Sequence, residues 1–117
     1  MDAGDLDRRI TLHKAGEPQG EDDFGNPIPG EDINLTRWAE YLPVSDRERL
    51  AAMEVSASYT ARFRIRWSQA VKSVDPTWRL TFEGRVYDIS GVKELGRREG
   101  IEITASARAE AIEETAP

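Results

Sequence analysis

A strict alternation of apolar and polar side chains in residues 59–67 is the strongest constraint on the fold of this chain. The apolar members of the run are Tyr59, Ala61, Phe63, Ile65 and Trp67. The residues between them include three arginines, Arg62, Arg64 and Arg66. Because successive side chains of a β-strand point to opposite faces, the run predicts a strand with one apolar face and one basic face.

Shorter runs with the same period of two recur along the chain and predict about six strands in total. Their positions are 6–12, 35–44, 59–67, 78–82, 85–89 and 101–108. Glu83-Gly84 predicts a hairpin turn between the fourth and fifth strands, and the glycines at 91, 96 and 100 predict a turn before the sixth. A capping box that begins at Ser45, followed by good helix formers, predicts one short helix over residues 45–54.

Strands with a single apolar face each favour a small antiparallel β-barrel or sandwich, because closing a sheet removes its exposed edges. A length of 117 residues suffices for one such domain with a buried core. We therefore predict a mainly β domain over residues 1–108. It contains one short helix and a long loop between the first two strands, and a flexible C-terminal tail follows over residues 109–117.

The long loop is predicted at residues 15–34, which hold four glycines and three prolines and therefore sustain neither a helix nor a central strand. The same segment holds six acidic residues and no lysine or arginine. Six also equals the net negative charge of the whole chain, which has 22 acidic and 16 basic residues. A loop of this length in a small domain usually has a function, so the acidity marks a candidate functional element.

The composition excludes several kinds of site. The chain has no cysteine, which removes disulfides, thiolate chemistry and cysteine-bound zinc. The chain has a single histidine, His13. Because the sequence contains no nucleophile motif for which it could act as general base, we predict that His13 is a surface residue. Asp22 and Asp23 are adjacent rather than alternate, which is typical of a solvated acidic turn and not of a calcium loop. We therefore expect no catalytic residue, no cofactor, no metal and no enzyme activity.

Membrane insertion and general nucleic-acid binding are also not expected. No apolar run approaches the roughly 18 to 20 residues of a membrane span, and the first residues are charged where a secretory signal is apolar. We therefore expect synthesis in the cytoplasm. The net charge of −6 opposes the counterion release that drives non-specific binding to nucleic acid.

Two interpretations of the three arginines in residues 59–67 stay open. Guanidinium groups spaced by about 6.6 to 7 Å along a strand can bind phosphates or the carboxylates of a neighbouring subunit. Alternatively, the arginines pair across strands with glutamates such as Glu40 or Glu102. A module for single-stranded nucleic acid would also need exposed aromatic side chains, whereas Tyr59, Phe63 and Trp67 share the apolar face and are predicted to lie in the core.

Several motifs, in the same order along the chain, resemble those of one family. They are Gly4-x-Leu6-x-Arg8-Arg9-Ile10-Thr11-Leu12, Asp23-Phe24-Gly25-Asn26, Trp38-Ala39, Arg62-x-Arg64-Ile65-Arg66, Leu80-x-Phe82-x-Gly84-x-x-Tyr87-Asp88-Ile89 and Ile101-x-Ile103. Over residues 4–108 this ordered set resembles the head-tail joining proteins of long-tailed bacteriophages and related gene transfer agents. These are also called head closure, stopper or head-tail adaptor proteins. The strong acidity of the loop and the tail over 109–117 depart from the pattern of the family.

The resemblance implies a structural virion protein of the head-tail connector. Such a protein is a small β-barrel that forms a homo-oligomeric, dodecameric ring between the portal-adaptor complex of the filled head and the tail terminator or tail tube. Its long loop projects into the channel and retains the packaged double-stranded DNA, which passes through without specific binding. No membrane partner is implied. A tail-completion (terminator) ring, or an OB-like module that binds single-stranded nucleic acid, is the alternative.

The charge pattern and the resemblance together single out two groups of residues. The channel-loop candidates are Glu21, Asp22, Asp23, Phe24, Gly25, Asn26 and Ile28. The candidates for contacts with neighbouring subunits or partners are Arg62, Arg64, Arg66, Arg47 and Glu48. We expect the loop to be mobile in the isolated subunit and ordered in the ring.

Overall fold

The computed structural model describes residues 3–44 and 58–108, which contain six β-strands. The strands are β1 (Arg8–Lys14), β2 (Ile33–Pro43), β3 (Ser58–Arg66), β4 (Arg79–Phe82), β5 (Arg85–Leu95) and β6 (Gly100–Arg108). Single 3-10 turns occur at Ala3–Asp5 and Val71–Ser73. The helix predicted over 45–54 and the tail predicted over 109–117 lie outside the described residues.

The strands close into a barrel in the order β1-β2-β3-β6-β5-β4, and β4 pairs back onto β1. All neighbouring strands in this order are antiparallel. β3 pairs with β6 without interruption, from Ser58 opposite Arg108 to Arg66 opposite Gly100. The prediction of a mainly β, antiparallel fold is therefore confirmed, and the form adopted is the closed barrel.

The barrel interior is filled by the inward side chains of the strands, as the alternation predicts. Phe63 of β3 is fully buried, and its ring centre lies 5.2 Å from that of Phe82 and 5.5 Å from that of Tyr87. Aromatic pairs at such separations add about 0.5 to 1.5 kcal/mol beyond the area that they bury. Burial also raises the pKa of the Tyr87 hydroxyl, because a phenolate would lose its hydration inside the barrel.

The three aromatic residues of the run 59–67 occupy different positions. Phe63 lies in the core, and Trp67 is partly buried against it. Tyr59 is 41% exposed, and the guanidinium of Arg85 lies 3.8 Å from its ring centre. The prediction that all three lie in the core is therefore wrong for Tyr59. Tyr59 is the second residue of its strand, close to the end of the barrel, where fewer neighbours cover the apolar face.

The fifth strand is longer than the sequence indicates. β5 continues through Gly91 to Leu95, and the turn before β6 is confined to residues 96–99. A β-bulge between Ile89 and Gly91 shifts the register of β5 against β6. The extra residue moves the inward face from Ile89 to Val92, which packs against the core. A period of two that slips by one residue resembles the end of a strand, and this explains the wrong boundary.

Candidate functional site

The chain between β1 and β2, residues 15–32, forms an acidic hairpin with a narrow neck. A Cβ atom added to Gly30 would lie against the backbone of Glu17, and one added to Gly16 would lie against the backbone of Gly30. The Gly16 amide also donates a hydrogen bond of 2.8 Å to the Asp32 carboxylate. Only glycine permits two backbones to approach this closely, so the two neck glycines determine where the arms meet.

Beyond the neck, the arms of the acidic hairpin pair with each other. The Gln19 amide donates a hydrogen bond to the Ile28 carbonyl at 2.7 Å, and the Ile28 amide donates one to the Gly20 carbonyl at 2.9 Å. An isolated antiparallel bridge joins Glu21 to Pro27. The loop predicted from composition therefore has local β structure of its own, which glycine and proline content alone does not reveal.

The tip of the acidic hairpin is a tight turn held by one carboxylate. The side chain of Asp22 accepts hydrogen bonds from the backbone amides of Phe24 and Asn26, each at 2.9 Å. The Gly25 amide donates to the Asp22 carbonyl at 3.0 Å, and Gly25 adopts a positive φ of 82°. Asp22 thus acts as the cap of this turn and holds the backbone that carries Phe24.

The acidic hairpin is exposed along its length. The Phe24 side chain is 87% exposed and that of Ile28 is 40% exposed. The six carboxylates are those of Glu17, Glu21, Asp22, Asp23, Glu31 and Asp32, and all six residues are exposed. Asp22 and Asp32 accept the amide hydrogen bonds described above, whereas the other four have no ion-pair partner among residues 3–44 and 58–108. Four carboxylates without an ion-pair partner in the described ranges therefore lie together in this one projection.

The arginine strand β3 lies in a different electrostatic setting. Arg64 stands opposite Glu40 of β2 and Glu102 of β6, as the two registers show. Its Nε donates to the Glu102 carboxylate at 2.9 Å, and the Glu102 side chain is only 11% exposed. The contact favours the cross-strand interpretation for Arg64, because a nearly buried carboxylate needs this cation.

The other candidates for subunit contacts are placed less uniformly. Arg62 is half-buried and has a partner within the chain. Arg66, at the end of β3, is exposed and lines a depression on the barrel surface. Arg47 and Glu48 lie outside the described residues. Of the β3 arginines, Arg66 is therefore the one whose charge remains available to a partner.

The sequence of the chain matches one known protein family. A family of phage head completion proteins matches residues 1–108. The chain belongs to the phage head completion protein family. It is accordingly a structural protein that completes the head of a virion.

Two solved structures share the fold of this head completion protein. The solution structure of a protein from Shigella flexneri 2a is 27% identical in sequence and superposes with a TM-score of 0.64, covering 94% of this chain and 99% of the other. A chain in the virion of a native gene transfer agent particle is 23% identical with a TM-score of 0.55, covering 86% of this chain and 93% of the other. No curated protein is significantly similar to the chain.

The head completion barrel also carries an apolar depression that was not predicted, which we call the Trp38 socket. It has a volume of about 550 Å³ and is lined by Ala3, Gly4, Leu6, Asp7, Trp38 and Arg66. Trp38 is 52% exposed, and the guanidinium of Arg9 lies 4.6 Å from its ring centre. The sequence does contain a signal for this group, because the alternation through Asn34 and Thr36 places Trp38 on the outward face.

His13 has a structural position on the same wall of the barrel. Its Nδ1 lies 2.7 Å from the Asn34 side-chain oxygen, and its Nε2 lies 2.7 Å from the Thr81 hydroxyl. The ring thereby links β1 to β2 on one side and to β4 on the other. His13 is half-buried rather than fully exposed, and both ring nitrogens are used in holding the strands together.

Two further findings concern only the described ranges, 3–44 and 58–108. No group of three histidine, aspartate or glutamate side chains is arranged there as a set of metal ligands. No helix there has the length and apolar character needed to cross a membrane.

Proposed function

We propose that this chain is a ring-forming subunit of the head-tail connector, a stopper that closes the filled head and retains its DNA. One observation carries the proposal: the acidic hairpin stands on a closed barrel and leaves its tip and four of its carboxylates without a partner among the described residues. A rigid barrel suits contacts within a ring, and an unpartnered projection suits a part that reaches into a channel. Membership of the phage head completion protein family supports this role.

The charge of the acidic hairpin suits a channel through which DNA passes. In a ring, every copy brings six carboxylates to the same central opening. Duplex DNA carries one negative charge per about 1.7 Å of its axis, and repulsion acts over a Debye length of about 8 Å at physiological ionic strength. An acidic lining therefore keeps the duplex from adhering, and closure relies on protein contacts within the ring rather than on DNA binding.

The proposed partners are those that the resemblance to head-tail joining proteins implies. We propose a dodecameric ring that contacts the portal-adaptor complex on one side and the tail terminator or tail tube on the other. The ring forms part of the virion, and its subunits are made in the cytoplasm of the host. The shared fold with a chain of a gene transfer agent virion supports a place in such a particle. The role requires no catalytic step.

A shortened hairpin tests the proposal. Residues 20–27 are replaced by Asn-Gly, so that Gln19 and Ile28, which already pair in the structure, flank a two-residue turn of the type that this dipeptide favours. We expect the barrel to unfold in urea at the same midpoint as the parent protein. Particles assembled with the variant should lose their DNA, as measured by nuclease-resistant DNA per capsid.

The matched control is Asp88→Asn, which removes an exposed ion pair with Arg79 on the barrel wall and leaves the hairpin intact. Control particles should retain DNA like the parent. Shortened-hairpin particles that retain DNA equally well contradict the stopper role. Sealed, filled heads beside free tails of abnormal length would instead support the tail-completion alternative, and electron microscopy of the same preparation distinguishes the two.

A further inference from the structure

On the proposed ring, we infer that the tip of the acidic hairpin of one copy binds the Trp38 socket of the next copy. The inference rests on the proposed function and names the partner of the hairpin tip. The occupant of the socket is then Phe24 of a neighbouring subunit. Shape, charge and position on the barrel each support this pairing.

The socket suits an aromatic side chain. Leu6, which is 8% exposed, lies at its base, and Trp38 supplies a half-exposed ring. Arg9 stacks on that ring and limits its movement. The depression is open to solvent, so a benzyl group can lie in it against the Trp38 ring. Buried aromatic anchors of this kind supply most of the binding energy in protein interfaces.

The tip presents such an anchor. Phe24 is 87% exposed, the largest exposed fraction among the large hydrophobic residues of the described chain. The hydrogen bonds from its own amide and from that of Asn26 to Asp22 hold the turn that carries it. A preformed turn loses little backbone freedom when its side chain binds, which favours association.

The charges around tip and socket are complementary. Glu21 and Asp23 flank the anchor on the hairpin and have no ion-pair partner among the described residues. Arg66 and Arg9 lie beside the socket and likewise have no carboxylate partner there. Asp7 also lines the socket and adds one negative charge there, against the two positive charges of Arg66 and Arg9. An acidic tip and a basic rim attract each other and fix the orientation of the contact.

Tip and socket lie toward opposite ends of the β1-β2 pair. Trp38 stands opposite Arg9, whereas the hairpin leaves the barrel where Lys14 stands opposite Ile33. Five residues of strand separate these two positions, about 17 Å at 3.4 Å per residue. A contact between different patches of identical subunits is heterologous, and heterologous contacts that close on themselves generate rings.

Disulfide trapping tests the inference without interference, because the chain has no cysteine of its own. The double variant Asn26→Cys/Gly4→Cys places one thiol at the tip, with Phe24 kept, and one at the socket. A Cβ on Gly4 meets no atom within 4 Å, so the change is accommodated. Particles assembled with this variant and oxidised should yield a ladder of dimers, trimers and higher multimers on a denaturing gel, since each copy donates one tip and one socket.

Each single variant can form dimers at most, and the matched control Asn26→Cys/Asp88→Cys, with its second thiol on the far wall, should form no ladder. A ladder from the tip and socket pair alone supports the inference. Particles that contain the protein and retain DNA but show no ladder overturn it while leaving the stopper role intact. A fast-migrating monomer, which reports a disulfide within one chain, overturns it as well.

Charge reversal gives a second readout. Arg66→Glu should lower the number of DNA-retaining particles by about tenfold, because it places a like charge opposite the acidic tip. Adding Asp23→Arg in the same chain should restore the number, because the reversed pair attracts again. An Arg66→Glu variant that closes particles normally, or a double variant no better than either single one, overturns the contact.

Discussion

On the barrel wall, several carboxylates lie against cations from other strands, whereas four of the six in the acidic hairpin have no ion-pair or hydrogen-bond partner among the described residues. Glu102 is held by Arg64 at 2.9 Å, and Glu83 accepts a hydrogen bond from Arg8 at 3.0 Å. Glu21 and Asp23 of the hairpin have no such partner among the described residues. Paired charges on the wall serve the fold of the single chain, and unpaired charges on the hairpin remain for a partner. Stability and assembly should therefore depend on different residues.

Two phenylalanines give the largest contrast. Phe63 is fully buried in the aromatic core, and Phe24 is 87% exposed. Phe63→Ala should lower the free energy of unfolding by about 3 to 5 kcal/mol, because it leaves a cavity in a packed interior. Phe24→Ala should change it by less than about 0.5 kcal/mol, as surface substitutions usually do. Urea unfolding followed by tryptophan fluorescence measures both.

Assembly should show the reverse order. Phe24→Ala protein is expected to fold normally and to fail in closing particles. If Phe24→Ala destabilises the isolated chain by as much as Phe63→Ala, the hairpin tip is part of the core. The contrast between the two regions would then be wrong.

How far the sequence alone specifies these regions differs between them. The alternation in residues 59–67 and 101–108 predicts the paired strands β3 and β6, because a half-buried strand must alternate. The β5 bulge could not be predicted, since it adds one residue whose effect depends on the register with β6. Local patterns determine strands, and pairing between distant segments determines where those strands end.

The same limit applies to the candidate site. Six acids and seven glycines and prolines in residues 15–34 suffice to predict an exposed acidic loop. The close approach of Gly16 and Gly30 was not predictable, because it depends on which glycine meets which across the neck. Cross-strand pairing of Arg64 was one of two open interpretations, and only the register opposite Glu102 favours it.

The second contrast concerns two charged residues. Arg64→Met keeps the aliphatic stem but leaves the Glu102 carboxylate, 11% exposed, without its cation. We expect a loss of about 1 to 2 kcal/mol in the free energy of unfolding, the lower part of the range for charged hydrogen bonds because Arg64 itself is 41% exposed. Asp23→Asn on the hairpin should change it by less than about 0.5 kcal/mol.

Chemical denaturation of both variants at low and high salt checks this expectation. The loss from Arg64→Met should persist at high salt, since a partly buried pair is screened less than an exposed charge. An Arg64→Met protein as stable as the parent, but unable to assemble, would return Arg64 to the group of subunit contacts.

The smallest expected effect is local and separates the hairpin from the barrel. Gly30→Ala puts a Cβ against the backbone of Glu17, so the arms must move apart at the neck. The amides of Gln19 and Ile28, which pair the arms, should then exchange with solvent roughly ten times faster, whereas amides of β3 and β6 keep the protection set by global unfolding. Gly91→Ala, where an added Cβ meets no atom within 4 Å, is the matched control.

If Gly30→Ala accelerates exchange in the barrel strands as well, hairpin and barrel unfold together. The expectation that the hairpin moves independently in the isolated subunit would then fail, because an element that shares the cooperativity of the barrel cannot be free to order only in a ring.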